Sequence, residues 1–463
     1  MKNRPDINEL TAGEFKNSYM ELWEDRQIWK QMAEQFKKEL DAIKNKPQKD
    51  STNSSNPPSD DQKPNLDPKK DPDDKKPRKR HSNGGRKFHE NPDKIEDLYA
   101  SHCPHCEAPV EQGTQSLKDQ FENVEIPEKI NPTVTLFNQY GGTCSCCQKK
   151  YMAPLPTGVD SKSLFGPNVQ KHLIYMRYNH HISYNRLITY MLTTFGVEIS
   201  PGSLAQIFKR SHRKLMKIYE MIGEQVKESD LICSDETSAR VKGKNHWEWV
   251  FQNIKACFHI IAPSRGSIVI EDFLKGNVPL TWISDLYSGQ LKNPALKLQI
   301  CLAHQLRNCK YAVDCKDEIF APVLIELMLA GIALGKQYHK ISLSEYETKV
   351  KAILKKLTEA LTLNPTTEEG IRLHKRYIKD KDSIFLFLED PSKIPPTNNS
   401  SEQAIRMSVI FRKITNGFRV DWGGQFFAVI RSIVNTGARR GYDAYNAISK
   451  ALDSPDAFFP STA

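Results

Sequence analysis

The sequence predicts an α/β multidomain protein, and three observations predict it. Short apolar runs rich in β-branched and aromatic residues recur between positions 231 and 304. Helical periodicity fills the stretches on either side, from Gly166 to Val226 and from Asp314 to Pro396. Upstream lie a polar, Pro-rich segment and two closely spaced cysteine pairs. With 463 residues the chain can hold about three domains. Its formal charge of +10 favours a polyanionic partner, although such a charge could also serve solubility alone. No apolar stretch approaches the roughly 20 residues that span a bilayer, and MKNRPDINEL lacks the apolar middle of a signal peptide. A cytoplasmic protein with no membrane partner is therefore expected. There, thiols stay reduced and the ten cysteines point to metal or core roles before disulfides.

Residues 1–45 come first. Phe15, Tyr19, Leu22, Trp29, Ala33, Phe36, Leu40 and Ile43 follow heptad spacing, with Arg26 in the same seam. This is either a short coiled coil that pairs two protomers into a homo-oligomer or an amphipathic helix packed on its own chain. Residues 46–90 have almost nothing to bury and read as a disordered basic linker. Within them Lys75, Lys76, Arg78, Lys79 and Arg80 would bind phosphates non-specifically, or serve as a solvated tether.

Residues 91–160 carry Cys103-Pro-His-Cys106 and Cys144-Ser-Cys-Cys147. Two C-x-x-C pairs supply four thiolates, each pair gripping one side of a tetrahedral Zn²⁺ from a tight knuckle. The spacer is longer than in the commonest zinc ribbons, and Val124, Ile126, Val134 and Leu136 suit hairpin strands between the knuckles. His105 and Cys146 are spare ligands, and a redox C-x-x-C is the competing reading.

Residues 161–228 are helical. Ser183–Thr194 and Pro201–Ser211 read as two helices around a turn at Gly196, with Ser200 as N-cap and Pro201 at N1. With Lys209, Arg210, His212, Arg213 and Lys214 following, this is either a helix-turn-helix that reads DNA or a helical support for the next domain.

Residues 229–313 open the candidate catalytic core. Leu231–Phe251 reads as a hairpin around Lys242-Gly243-Lys244, its first strand delivering Asp235 at its end. Taken alone, Asp235 is an ordinary turn or capping residue. Cys257–Ala262 follows as a third strand, Ile268–Leu274 as a short helix, and Leu280–Asp285 as a fourth strand that again ends in Asp. Three antiparallel strands, a helix, then a strand beside the first form the opening of a ribonuclease H-like fold, which would bring Asp235 and Asp285 side by side. Close carboxylates repel unless cations share them, so this pair is expected to hold Mg²⁺ or Mn²⁺ as two ions. Gln299–His304 reads as a fifth strand. His304 could approach the carboxylates, and Cys301 with His304 could hold a metal, or both could be core residues.

A helical insertion, residues 314–396, precedes residues 397–452 and a tail at 453–463. In NNSSEQAIRM the Asn/Ser cluster caps a helix that carries Glu402 in its first turn, either as a third metal ligand or as a capping Glu paired with Arg406. Arg406, Arg412 and Lys413 could meet DNA phosphates.

SDETSARV, WISDLYSGQ, CLAHQLRN and NNSSEQAIRM, in that order, resemble the core of the bacterial IS66 family transposases. The upstream NSSNPPSDD, the Gly84-Gly85-Arg86 turn and the cysteine pairs resemble that family's N-terminal segments. Leu302 and Gln290 depart from the family's pattern without touching the acids. The resemblance implies a DDE enzyme with Asp235, Asp285 and Glu402 as its triad, a zinc-binding domain and a nucleoid-associated protein. It further implies double-stranded DNA partners (element ends and target), with a need for accessory proteins of the same element left open. Cleavage by water and then direct attack of the freed 3′-hydroxyl would need no covalent protein intermediate. A structure-selective nuclease, or a zinc-dependent DNA-binding protein derived from an inactive element, stand as alternatives.

Overall fold

The computed structural model describes residues 26–37, 89–127, 130–156 and 163–459, together with 47, 49, 53, 159 and 161. Residues 1–62, 138–188 and 200–463 form one compact unit; residues 63–137 and 189–199 form another. Most of the N-terminal heptad seam and the basic run at Lys75, Lys76, Arg78, Lys79 and Arg80 lie outside the described residues. Residues 26–37 are helical, with Ile28, Trp29, Met32 and Phe36 exposed. No helix among the described residues is long and apolar enough to cross a membrane.

In the smaller unit, Val124, Ile126, Val134 and Leu136 form no strand among the described residues, contrary to the hairpin expected there. They are 61–90% exposed, and without an apolar face to cover, a two-stranded hairpin has too little to hold it together. In the larger unit a short antiparallel ribbon, β1 (Gly141–Thr143) and β2 (Lys150–Met152), flanks the second cysteine pair.

Helices α1 (Pro167–Tyr178), α2 (Tyr184–Phe195) and α3 (Pro201–Lys227) follow. Ser200 caps α3, its side chain accepting the Ser203 N–H at 3.1 Å. The helix runs sixteen residues beyond the expected Ser211, because Leu215, Ile218, Ile222 and Val226 continue the buried stripe begun by Leu204, Ile207 and Phe208.

The central sheet has the order β5-β4-β3-β6-β7. β3 (Leu231–Val241), β4 (Lys244–Gln252) and β5 (Cys257–Ala262) are antiparallel neighbours. β6 (Thr281–Ser284) and β7 (Lys297–Ile300) run parallel to β3. Helix α4 (Ile268–Leu274) supplies the crossover. Alternation along β4 sorts the two faces. Phe251 points to α4 and stacks on Phe273 at 4.3 Å, while Val250 packs with Cys257, Ala404 and Ile405 on the opposite face.

The insertion folds as α5 (Leu302–Asp314), α6 (Ala321–Gly335), α7 (Leu343–Ala360) and α8 (Glu368–Lys379), with Ser342 and Thr367 capping the last two. Its core of Leu324, Met328, Leu373, Tyr377 and Phe387 is continuous with Cys233, Ile283 and Ile300 of the sheet. The chain then returns to the sheet through α9 (Asn399–Thr415), α10 (Asp421–Arg439), α11 (Ala444–Asp453) and the single turn α12 (Pro455–Phe458). Helix α10 packs between α3, α11 and the edge strand β5. There Ser432 and Thr436 accept the Cys257 and His259 N–H groups that no strand pairs, at 2.9–3.0 Å. These hydroxyls close an edge that would otherwise be open to pairing with another chain. The α3 stripe lies against the same α10 and β5, with Arg213, Lys214 and Lys217 exposed.

Candidate active site

Asp235 is the fifth residue of an eleven-residue strand, not the last. β3 continues because residues 236–241 pair with 244–249 of β4, so the hairpin is longer than its apolar part alone suggests. Across β3 and β6, Cys233 lies opposite Ile283, and two residues further along both strands come Asp235 and Asp285. Parallel register thus brings the two carboxylates level.

Glu402 reaches the same place from α9, which is stapled along β3 at three points. At its start, Asn398 is buried and its Nδ2 donates to the Ser234 carbonyl at 2.7 Å, one residue from Asp235. Beside it, Gln252 Nε2 donates to the Ser400 and Ser401 hydroxyls at 2.9 and 2.8 Å. In its last turn, Arg412 donates to the Ser238 carbonyl and hydroxyl. Beyond its end, the Phe418 N–H donates to the Arg240 carbonyl and the Lys242 N–H to the Phe418 carbonyl, both at 2.7 Å. Gly417, at φ +103°, makes that last contact: a Cβ there would stand 2.6 Å from the Arg240 oxygen.

Electrostatics mark the cluster as short of cations. Burial, then the neighbouring charges of Glu236, Asp285 and Glu402, hold the Asp235 carboxyl well above the usual carboxylate range. Burial raises Asp285 as well, against the Tyr287 N–H, which donates to it at 2.9 Å, and Arg265. Among the described residues Asp235 makes no ion pair. On Glu402, Oε1 is buried without a hydrogen-bond partner, and His304 Nδ1 and Arg307 Nη2 each stand 3.6 Å from it. Arg406, the expected partner, is exposed. Level carboxylates with raised proton affinity and an unsatisfied third oxygen are a donor set that suits hard divalent cations.

Residues 162–426, more than half of the chain and spanning all three acids, match the family model described as Transposase IS66 family. The chain belongs to the IS66 family of transposases. No curated protein matches it. Membership implies a part in DNA transposition, DNA as a partner and, for DDE transposases generally, use of a divalent metal.

The surroundings of the acids in this IS66 family member include residues that sequence reasoning passed over. Glu236 follows Asp235 and so faces the other side of the sheet. Its Oε1 accepts from Arg265 Nε and Nη2 at 3.0 and 2.9 Å, and its Oε2 from Gln290 Nε2 at 2.7 Å. Gln290 is fully buried and also accepts from Trp282 Nε1 at 3.2 Å, which ties the loop after Asp285 to the sheet. Burial and Asp285 push the Glu236 carboxyl up, against the hydrogen bonds from Gln290 and Arg265. Only the position of Gln290 in the family pattern pointed to it. Asn398 was legible as part of a capping cluster, but its side chain serves β3 instead of its own helix.

The remaining expected residues fall as follows. β7 ends at Ile300, so the expected fifth strand is corrected: Cys301 is the N-cap of α5, and His304 lies in the first turn of that helix. Helix formation turns the Cys301 and His304 side chains to one side, toward α9. Burial and Arg307 push His304 down to about 4, which keeps it neutral at ordinary pH. Arg210 donates to the Ser163 hydroxyl at 3.2 Å, Arg412 is engaged with β3, and Arg213, Arg406 and Lys413 are exposed. Cys103 and Cys106 belong to the smaller unit, Cys144 and Cys147 to the larger.

Asn398→Ala leaves the buried Ser234 carbonyl unpaired and frees the start of α9. The expected cost is about 1–3 kcal/mol of stability and about 10–100-fold in DNA cleavage, read by urea denaturation and a cleavage assay on the same preparation. Unchanged cleavage would separate this bond from the placing of Glu402.

Proposed function

We propose that the chain is a DDE transposase with a ribonuclease H-like core, which binds the ends of its element and carries out metal-dependent strand cleavage and strand transfer by in-line phosphoryl transfer. The observation that carries this reading is the convergence of Asp235, Asp285 and Glu402. Two are level in adjacent parallel strands, and the third is delivered by a helix stapled to one of them. The 3-2-1-4-5 strand order supports the fold assignment. Mg²⁺ or Mn²⁺ ions bound there would activate the attacking oxygen and stabilise the leaving oxygen at phosphorus. The chain's own contribution is placement. Gln290 and Arg265 hold Glu236 and the loop of Asp285, Asn398 holds the start of α9, and the sheet keeps Asp235 rigid. Exposed Arg213, Lys214, Arg406 and Lys413 suit DNA phosphates. The exposed apolar side chains of residues 26–37 suit self-association into a homo-oligomer.

Zn²⁺ binding by the two cysteine pairs, Cys103 with Cys106 and Cys144 with Cys147, belongs to the same reading. Both pairs fold into the same knuckle. The Cys103 N–H donates to the Ala108 carbonyl and the Cys144 N–H to the Lys149 carbonyl, each at 2.9 Å, with Glu107 and Gln148 left-handed at φ 58° and 57°. Hydrogen bonds from the knuckle, first from the His105 backbone in one and the Cys147 backbone in the other, lower the Cys103 and Cys144 thiols. This favours the thiolate that zinc requires. Metal analysis of the purified chain should find zinc that Cys103→Ser and Cys144→Ser each reduce; equal zinc in all three would remove the assignment.

The deciding experiment supplies DNA ends bearing the element's inverted repeats, target DNA and Mg²⁺. Joined products are expected. Cleaved products without joining would indicate a structure-selective nuclease, and end binding without cleavage a DNA-binding protein.

A further inference from the structure

We propose that Cys301, His304 and Glu402 form a binding site for a borderline-soft divalent cation of the zinc class, distinct from the Asp235–Asp285 pair but sharing Glu402 with it. Cys301 Sγ, a His304 ring nitrogen and a Glu402 carboxylate oxygen all lie within 4.8 Å of one another. They come from two elements, the β7–α5 junction and α9, so the cluster is not a by-product of one helix face.

His304 Nδ1 and Glu402 Oε1 are both buried, and neither has a hydrogen-bond partner. Their 3.6 Å separation is too long for a hydrogen bond. It is close to the edge of a tetrahedron with metal bonds of about 2.1 Å, about 3.4 Å. Leaving two such atoms unsatisfied is costly, and one cation between them would satisfy both. Cys301 Sγ receives the Asn398 N–H at 3.1 Å, which offsets part of the burial that raises this thiol; a bound cation would supply the rest.

The donor set also selects the ion. Sulfur, imidazole nitrogen and one carboxylate oxygen match Zn²⁺ with an open fourth position, whereas Mg²⁺ demands oxygen. Arg307, 3.6 Å from the same Glu402 oxygen, opposes any cation there. The metal–thiolate bond would have to outweigh that repulsion. An ion in this site would hold Glu402 toward His304 and away from Asp235 and Asp285, so zinc should inhibit the Mg²⁺-dependent reaction. That consequence rests on the function proposed above; the binding claim does not.

The test strips the full-length chain with chelator and titrates Co²⁺, following the thiolate charge-transfer and tetrahedral d–d bands. The wild type, Cys301→Ser, His304→Ala, Glu402→Gln and a Cys103→Ser/Cys144→Ser variant are compared, each checked for an intact unfolding transition. The expected result is a class of Co²⁺ sites that persists in the knuckle variant. It should lose its thiolate band in Cys301→Ser and weaken about 10–100-fold in His304→Ala and Glu402→Gln. Titrations of Cys301→Ser and Glu402→Gln that match the wild type overturn the site. In a cleavage assay, Zn²⁺ added over Mg²⁺ should inhibit the wild type at a concentration at least tenfold lower than His304→Ala, each relative to its own zinc-free rate. Normal Co²⁺ binding with no zinc inhibition would keep the site and overturn only the sharing of Glu402.

Discussion

Replacing Asp235 by Asn should lower metal-dependent DNA cleavage and joining by about 10³-fold or more, while the metal-free protein becomes more stable. Both effects have one cause. The Asp235 carboxyl is penalised by burial and by the charges of Glu236, Asp285 and Glu402, which raise its proton affinity well above the ordinary carboxylate value of 3.8. An acid held more tightly protonated in the folded than in the unfolded chain contributes its full stability below the unfolded value. That contribution is lost as pH rises through the raised folded value. At neutral pH the metal-free site therefore strains the fold, and Asn, of the same size but uncharged, relieves that strain. Mg²⁺ should relieve it too, by mass action, worth about 2.7 kcal/mol at a hundred times the dissociation constant. Because it displaces protons, Mg²⁺ should stabilise the wild type more at high pH than at low pH. Thermal midpoints across pH, with and without Mg²⁺, for the two proteins test all of this. A variant as active as the wild type would remove Asp235 from the site. A metal-free variant no more stable than the wild type would remove the strain.

Glu248→Ala should destabilise the chain by about 3–5 kcal/mol, the usual penalty for stranding one partner of a buried ion pair. Glu248 and His259 are diagonal neighbours across β4 and β5 with side chains 3% and 0% exposed, the His259 Nδ1–Glu248 Oε1 distance being 2.8 Å. Burial pulls the imidazole's proton affinity down. Cys257 and Glu248 more than reverse this, raising His259 to about 9, so the ring is held as a cation. The Ser408 hydroxyl of α9 donates to the same Glu248 oxygen at 2.7 Å, and Asn435 of α10 lies 2.9 Å from His259 Nε2. The buried pair therefore anchors two helices to the sheet, α9 through Glu248 and α10 through His259. The exposed pair Lys349–Glu345 on α7 provides the contrast, and Glu345→Ala should change stability by about 0.5 kcal/mol at most. Urea midpoints of the two variants measure the difference. Similar values would mean that the buried network is slack.

Much of this arrangement was legible in the sequence, and what was not has a common physical origin. Alternation and helical spacing are local, so the strands holding Asp235 and Asp285, the capped start of α3 and the first-turn position of Glu402 could each be read from a few neighbours. Partner choice is not local. The polar second half of β3 looks like a turn until β4 is seen to pair with all of it. β7 looked longer because Cys301-Leu-Ala-His304 is apolar enough for a strand, yet the chain bends there into α5, beneath the returning Pro396 carbonyl that accepts the Leu302 N–H at 3.0 Å. Val124 and Val134 have strand-forming side chains and nothing to bury them against. Asn398 reads as a cap because caps are made of Asn, and only the fold reveals that the Ser234 carbonyl competes for its amide. Glu236 gave no signal at all, since nothing in DET says which of two adjacent acids faces which side.

The three attachments of α9 to β3 have a consequence for how such a chain can change over time. Glu402 takes its position from the strand that bears Asp235, not from the helices that precede it in the chain. The segment between the second and third acids can then lengthen, shrink or be exchanged for another folded module, provided it covers Ile283 and Ile300 and returns the chain to Pro396. Because loop-closure entropy grows only slowly with length, such exchanges cost the catalytic geometry little. The insertion is thus a place where new partners can be acquired while the chemistry stays fixed.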